Sequence, residues 1–263
     1  MKPDYKNWMP KGMVAGVIAG TAVLGCLFIL FGIAGFAVSG RLRIILAVLL
    51  GVIFLISCAF SALCIAWHLA FSYNGKRQLS RQIVEGTARY ITLPENGKGL
   101  DVGCGSGALT IACAKRNPQG TMTGIDRWGK EYASFSKKLC EQNAAAEGVD
   151  NTIFIKGDAL KLDIPNESFD AVVSNYVYHN IKGVDKQALI LETLRVLKKG
   201  GSFAIHDLFT SRGYGNMIAF TEELKKQGYE KVELIDTTEG LFMSCKEAKW
   251  MGLSGSALLV GRK

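Results

Sequence analysis

The stretch Leu100-Asp101-Val102-Gly103-Cys104-Gly105-Ser106-Gly107 decides the reading of this chain. A short apolar run closes on three alternating glycines, and residues 108–115 then follow a helical pattern. Such a pattern predicts a strand that turns sharply and opens a helix. Glycine is needed there because the backbone must reverse tightly and let a ligand approach without a β-carbon in the way.

Working outward toward the C-terminus, further apolar runs appear at 121–125, 152–155, 171–174 and 202–205, separated by helical stretches at 130–146 and 186–197. Strands alternating with helices imply parallel pairing and right-handed crossovers, hence an α/β, Rossmann-like doubly wound sheet. Gly103, Gly105 and Ala108 also satisfy the dinucleotide fingerprint GxGxxG/A. Asp126 ends the second strand, 19 residues beyond Gly107, where a carboxylate can accept both hydroxyls of an adenosine ribose. Arg127 beside it suits a 2′-phosphate, so at this point a nicotinamide enzyme stays open.

The remaining motifs separate the candidates. Leu100 to Gly107 resembles the first motif of the class I S-adenosylmethionine-dependent methyltransferases, including the acid Asp101 two residues before the first glycine. Lys156-Gly157-Asp158-Ala159 resembles the segment after that family's third strand. The run from Ile164 through Ser168-Phe169-Asp170-Ala171-Val172-Val173-Ser174-Asn175 resembles its fourth-strand motif, and Leu194-Arg195-Val196-Leu197-Lys198-Lys199-Gly200-Gly201 its turn into the fifth strand, with Lys199 where proline is usual. The motifs occur in the family's order, and the nearest wording is that of the small-molecule, quinone-biosynthesis-like branch.

The resemblance implies S-adenosyl-L-methionine as cofactor. Asp101 and the backbone at Gly103 and Gly105 would hold its methionine portion, Asp126 the ribose, Asp158 and Ala159 the adenine, and Asn175 the sulfonium side, with Gly107 and Arg127 also counted among the cofactor-binding residues. Trp128 is placed to stack on adenine. After a helix at 216–227, segments 231–235 and 257–260 look like the family's terminal antiparallel strands, so the sheet is expected to be mostly parallel with an antiparallel end. Between them, 237–256 is long for a hairpin and carries Phe242, Met243, Trp250 and Met251, which suit a substrate lid, a membrane-contacting loop or a packing segment.

Methyl transfer is an in-line displacement with a good leaving group, so positioning and desolvation supply most of the acceleration. A base is needed only where the acceptor must lose a proton. His179, beyond the fourth strand, and His206, at the end of the fifth, sit at the carboxyl edge of the sheet and are the two candidate catalytic bases. Asn175-Tyr176-Val177-Tyr178 lacks the Pro-Pro-aromatic ending of relatives that methylate amide or base nitrogens, so a small-molecule or lipid-soluble acceptor is expected and nucleic acid is not.

Toward the N-terminus the composition changes. No charged residue lies between Lys11 and Arg41, and only His68 is ionisable between Arg43 and Lys76. Each stretch exceeds the roughly 20 residues that cross a hydrocarbon core. The first is too long for a signal-peptide apolar region. Two spans, about 12–38 and 44–71, form a hairpin over residues 1–74, leaving 75–263 as the catalytic domain. His68 falls near the membrane edge.

Lys2, Lys6 and Lys11 share a side with Lys76, Arg77 and Arg81, while Arg41 and Arg43 lie in the connection, so the termini and the domain are expected to be cytoplasmic. Of the net charge of +8, residues 1–43 carry +4 (five basic residues against Asp4), which suits anionic lipid headgroups rather than nucleic acid. Gly12, Gly16 and Gly20 form a small-residue face suited to hairpin packing or to a homodimer. The seven cysteines show no CxxC pair or ligand spacing, so no metal site is expected. A membrane-tethered sensor that keeps the fold without turnover is the competing reading.

Overall fold

The computed structural model describes residues 2–129 and 134–263, in two units: residues 6–80, and residues 2–5 together with 81–263.

In the first unit, α1 (Lys11–Leu27) runs into a π-helical turn at Phe28–Ile33, and α2 (Gly40–Phe71) returns. Both helices are long and apolar enough to cross a membrane, and they leave nearly all of that apolar surface exposed. The connection is shorter at its far end than the sequence implies, because Arg41 and Arg43 belong to the first turn of α2. Arg43 reaches back to the carbonyls of Gly32 (3.2 Å) and Ile33, which a helix end leaves without intrahelical partners. At the other end, His68 Nδ1 lies 2.7 Å from Met9 O, and Asn7 donates to His68 O at 2.8 Å.

The helices meet on glycines other than those expected. A Cβ on Gly25 would come within 2.9 Å of Phe54, one on Gly32 within 2.9 Å of the Ala47 backbone, and one on Gly51 within 3.1 Å of Phe28. Nothing lies within 4 Å of the corresponding points on Gly12, Gly16 and Gly20. Those three therefore do not pack the hairpin, which corrects that half of the expectation. Close approach goes instead to the glycines facing Phe28 and Phe54, whose rings need the missing side-chain volume.

The second unit carries the expected α/β fold. After α3 (Leu79–Thr87) come β1 (Lys98–Val102), α4 (Ala108–Arg116), β2 (Thr121–Asp126), α5 (Lys137–Ala146), β3 (Thr152–Lys156) and β4 (Phe169–Asn175). Then follow α6 (Lys186–Arg195), β5 (Leu197–Leu208), α7 (Ser211–Tyr214), α8 (Met217–Lys226), β6 (Glu230–Asp236), α9 (Cys245–Met251) and β7 (Ser256–Arg262). The strands form one seven-stranded sheet in the order β3-β2-β1-β4-β5-β7-β6, parallel from β3 to β5 and antiparallel at β7 and β6. The helix expected over 130–146 begins at Lys137, where the Ser136 hydroxyl accepts from Leu139 N; residues 130–133 lie outside the described residues.

Central strands are buried on both faces, as parallel sheets require. Alternate residues feed two apolar layers: Leu100, Val102, Val172, Phe203 and Ile205 pack on one side, Ala171, Val173, Ala204 and Met122 on the other. This two-sided burial fixes strand register. It thereby holds the carboxyl ends of β1, β2, β4 and β5 at one edge, where the order reverses between β1 and β4.

Candidate active site

The glycine turn is anchored before it meets any ligand. Gly103 N and Cys104 N both donate to Ile125 O, at 2.8 and 2.9 Å, and Gly107 N donates to Cys104 O at 2.7 Å. Gly103, Gly105 and Gly107 all take positive φ, where a β-carbon is strained. They differ in what surrounds them. A Cβ on Gly103 would come within 2.4 Å of Val177, and one on Gly107 within 3.1 Å of Phe154, so these two make room for the protein's own chain. Gly105 faces only Phe135 at 3.8 Å, which makes it the glycine that leaves space for a ligand.

Asp126 joins two turns. Its Oδ2 accepts from Gly105 N at 2.9 Å and its Oδ1 from Trp128 N at 2.7 Å, which orients the carboxylate and leaves acceptor capacity on each oxygen. Two hydroxyls on adjacent carbons are a matching donor set. Trp128 has φ +43°, and its indole Nε1 donates to Gly105 O at 3.0 Å, so the ring is tied to the glycine turn. Arg127 is exposed.

Asp101 lies beneath the turn rather than in it. It is 1 % exposed, accepts from Thr110 Oγ1 at 2.7 Å, and burial raises its carboxyl from the ordinary 3.8 to about 7. Asp158 and Ala159 follow β3 partly buried, and Asp158 Oδ1 turns back to accept from Leu160 N at 2.9 Å. The Asp126 carboxylate at the open Gly105, with Asp158 just beyond the neighbouring strand β3, suits the ribose and amino groups of an adenosyl amino acid. The residues present fit that cofactor.

The two histidines have separated roles. His206 is wholly buried, with Nδ1 2.8 Å from Asn175 Oδ1 and Nε2 3.0 Å from Thr237 Oγ1. Desolvation lowers it from 6.5 to about 3, which keeps the ring neutral. With both nitrogens engaged inside the protein it cannot take a proton from an acceptor, so the expectation of His206 as a base is corrected. It holds Asn175 in place instead, roofed by Tyr176 and Phe242, whose ring centroids lie 4.6 and 5.4 Å away.

His179 is half-exposed, and its Nδ1 lies 2.5 Å from Oδ1 of the fully buried Asp207. Asp207 is itself fixed by Tyr178 N (2.9 Å) on Oδ2 and Leu208 N (2.7 Å) on Oδ1. A carboxylate on Nδ1 sets the tautomer and leaves Nε2 as the basic nitrogen. Asp207 was not legible as a partner in the sequence, where it is only the neighbour of His206. The pairing Asn175↔His206 places it beside the segment that carries His179. Thr237, which begins the long 237–256 segment, is another partner found only in space. Of that segment, Phe242 and Met243 are buried whereas Trp250 is exposed. Among the described residues no cluster has the makeup of a metal site.

Comparison with known proteins agrees with this geometry. A family model described as "Methyltransferase domain" matches residues 93–252. The chain belongs to this family. Its methyltransferase domain is 33 % identical over 114 residues to a demethylmenaquinone methyltransferase of Geobacillus stearothermophilus, covering 43 % of this chain and 46 % of that protein. A sterol 24-C-methyltransferase of Gibberella zeae is 30 % identical over 130 residues, 49 % of this chain and 32 % of its own. The chain thus spans less than half the length of these curated relatives.

The family match makes the domain a methyltransferase with S-adenosylmethionine as cofactor, and the nicotinamide alternative is set aside. Among solved structures, a geranyl diphosphate methyltransferase in complex with S-adenosylmethionine superposes with TM-score 0.52 at 13 % identity, over 74 % of this chain and 93 % of that one. The [4+2]-cyclase SpnF has the same fold, with TM-score 0.52 and 19 % identity over 72 % and 84 % of the two chains.

Proposed function

We propose that this protein is a membrane-anchored enzyme that transfers the methyl group of S-adenosylmethionine to a small, lipid-soluble acceptor. The observation that carries the reading is the Asp126 carboxylate, held by Gly105 N and Trp128 N at the same sheet edge as the His179–Asp207 pair. When bound, the cofactor supplies an activated methyl group on a sulfonium.

This chain's residues then divide the work. Asp126 takes the ribose hydroxyls, Asp158 and Ala159 the adenine and Gly105 the close backbone approach, while the buried Asp101 supports the turn from beneath through Thr110. Asn175, oriented by His206, borders the reacting side. His179 Nε2 would take the proton that the acceptor loses, and Asp207 would stabilise the resulting imidazolium. The curated relatives named for demethylmenaquinone and sterol substrates support an apolar acceptor.

The hairpin serves as the anchor: its exposed apolar surface suits lipid, and the basic residues flanking both ends favour a cytoplasmic domain and termini. The open face of Gly12, Gly16 and Gly20 suits a second copy of the chain. A reporter fused after Ser80 reads cytoplasmic if the orientation is right; an external signal overturns it.

The test of the enzyme is the full chain in detergent, supplied with methyl-labelled S-adenosylmethionine and a membrane-lipid extract. Label should enter an extractable apolar product, and His179→Ala should lower kcat by about 10²–10⁴-fold while leaving cofactor affinity unchanged. Tight cofactor binding with no labelled product from any extract would favour the second reading, a domain that keeps the fold without methyl transfer. SpnF, named for cyclisation, gives that reading its support.

A further inference from the structure

Asp4 and Tyr5 are held against the glycine turn and α5. Asn143, in α5 and 2 % exposed, accepts from Asp4 N at 2.7 Å and donates to Asp4 O at 3.0 Å. The same amide donates to Ser106 O at 2.9 Å. Ser106, itself buried between Gly105 and Gly107, donates its hydroxyl to Tyr5 O at 2.9 Å. The Tyr5 ring is buried, and its hydroxyl donates to Glu147 Oε1 at 3.1 Å, on the residue that caps α5 and also pairs with Lys115.

One buried carboxamide thus holds both backbone groups of residue 4 and the carbonyl of the serine inside the cofactor turn. A buried asparagine on a helix is costly unless its hydrogen bonds are made. Here the strap and the turn make them. The first helix, α1, begins only at Lys11, beyond the strap. The turn carries three glycines at positive φ within five residues, and beside its bonds to Ile125 O and Asp126 the strap adds a hold at Ser106.

We infer that residues 4 and 5 form a strap that holds the glycine turn in its cofactor-binding shape, with Asn143 and Ser106 as the positioning residues that transmit its grip. The inference rests on the S-adenosylmethionine assignment above. A turn ordered in advance binds with less loss of freedom, so the strap raises cofactor affinity. By reciprocity the cofactor tightens the strap by the same factor. Because the chain continues from Tyr5 into the hairpin, cofactor affinity becomes sensitive to how the N-terminus is held.

The experiment uses the full chain in detergent or lipid nanodiscs. Ser106→Ala and Asn143→Leu should each raise KM and Kd for S-adenosylmethionine by roughly threefold to tenfold, the worth of one or two hydrogen bonds, with kcat within about twofold of the parent. S-adenosylhomocysteine should slow hydrogen exchange at the Asp4 amide of the unmodified protein by a similar factor. Unchanged cofactor affinity in the folded variants overturns the strap, and so does exchange at Asp4 that ignores the ligand. The exchange measurement needs no variant, so a substitution that fails to fold leaves the inference open to refutation. A flat titration of the unmodified chain would instead refute the cofactor assignment, and the strap with it.

Discussion

The hairpin and the methyltransferase domain are both rich in aliphatic residues, yet they face them in opposite directions. In the hairpin, Ile44, Val48, Leu55 and Ile56 are each more than 60 % exposed. In the domain, Leu100, Val172, Leu194 and Phe203 are wholly buried. Polar groups differ in the same way. The hairpin satisfies them locally, with Thr21 Oγ1 2.5 Å from Ser57 Oγ and 2.8 Å from Ser61 Oγ. The domain gathers them toward the carboxyl ends of its parallel strands, with Asp126 ending β2, His206 and Asp207 near the end of β5 and His179 just beyond β4. An apolar side chain thus defines a core only where a second layer covers it. Without that layer, the same residue types stay exposed.

The largest expected effect tests this contrast with a charge. Val172→Asp places a carboxylate in the centre of β4 and should cost more than about 4 kcal/mol, enough to unfold the domain. Leu55→Asp should leave the domain's proteolysis pattern unchanged but cost hairpin insertion roughly 3 kcal/mol, read as release from membranes in alkaline carbonate. A domain that unfolds with Leu55→Asp would show that the hairpin is part of its core.

Glycine substitutions sharpen the comparison at smaller scale. Gly103→Ala meets Val177 and takes a β-carbon to φ +77°, so a loss of about 2–4 kcal/mol in thermal or denaturant unfolding is expected. Gly16→Ala meets nothing and should be neutral or stabilising for α1 by about 0.5–1 kcal/mol. If it instead abolishes a cross-linked dimer, the glycine face is the homodimer contact.

Buried polar groups supply the next test. The Asp101 carboxyl is held above its ordinary 3.8, at about 7, so the folded protein binds the proton more tightly than the unfolded chain. Stability is therefore lost as pH rises from about 4 to about 7. Asp101→Asn, which stays neutral and can still accept from Thr110, should gain stability relative to the parent across that window and match it below. His206 acts with the opposite sign below 6.5 but is common to both proteins, so the difference isolates Asp101. A constant difference across the window would refute the raised carboxyl.

The smallest effect is Thr21→Val, which removes hydroxyl contacts to Ser57 and Ser61 and should weaken the hairpin by about 0.6 kcal/mol in a double-mutant cycle with Ser57→Ala.

The sequence alone determined the periodicities. Alternating apolar runs, the glycine turn at Gly103 to Gly107 and the acids placed at strand ends specified a doubly wound sheet and a nucleoside-type cofactor site, because those patterns are local and each strand's register follows from burying its faces. The two charge-free stretches were equally plain as composition. Tertiary structure alone decided which glycines serve a ligand and which serve Val177, Phe154, Phe28 or Phe54, since that depends on what packs over them. It alone separated the two histidines, which differ little along the chain but greatly in burial and in access to Asp207. It also joined Asp4 and Tyr5 to Ser106 and Asn143 across more than 100 residues, a contact that no periodicity encodes. Hydrophobic pattern is written into each segment. Hydrogen-bond partnership between distant segments exists only once the sheet has brought their ends together.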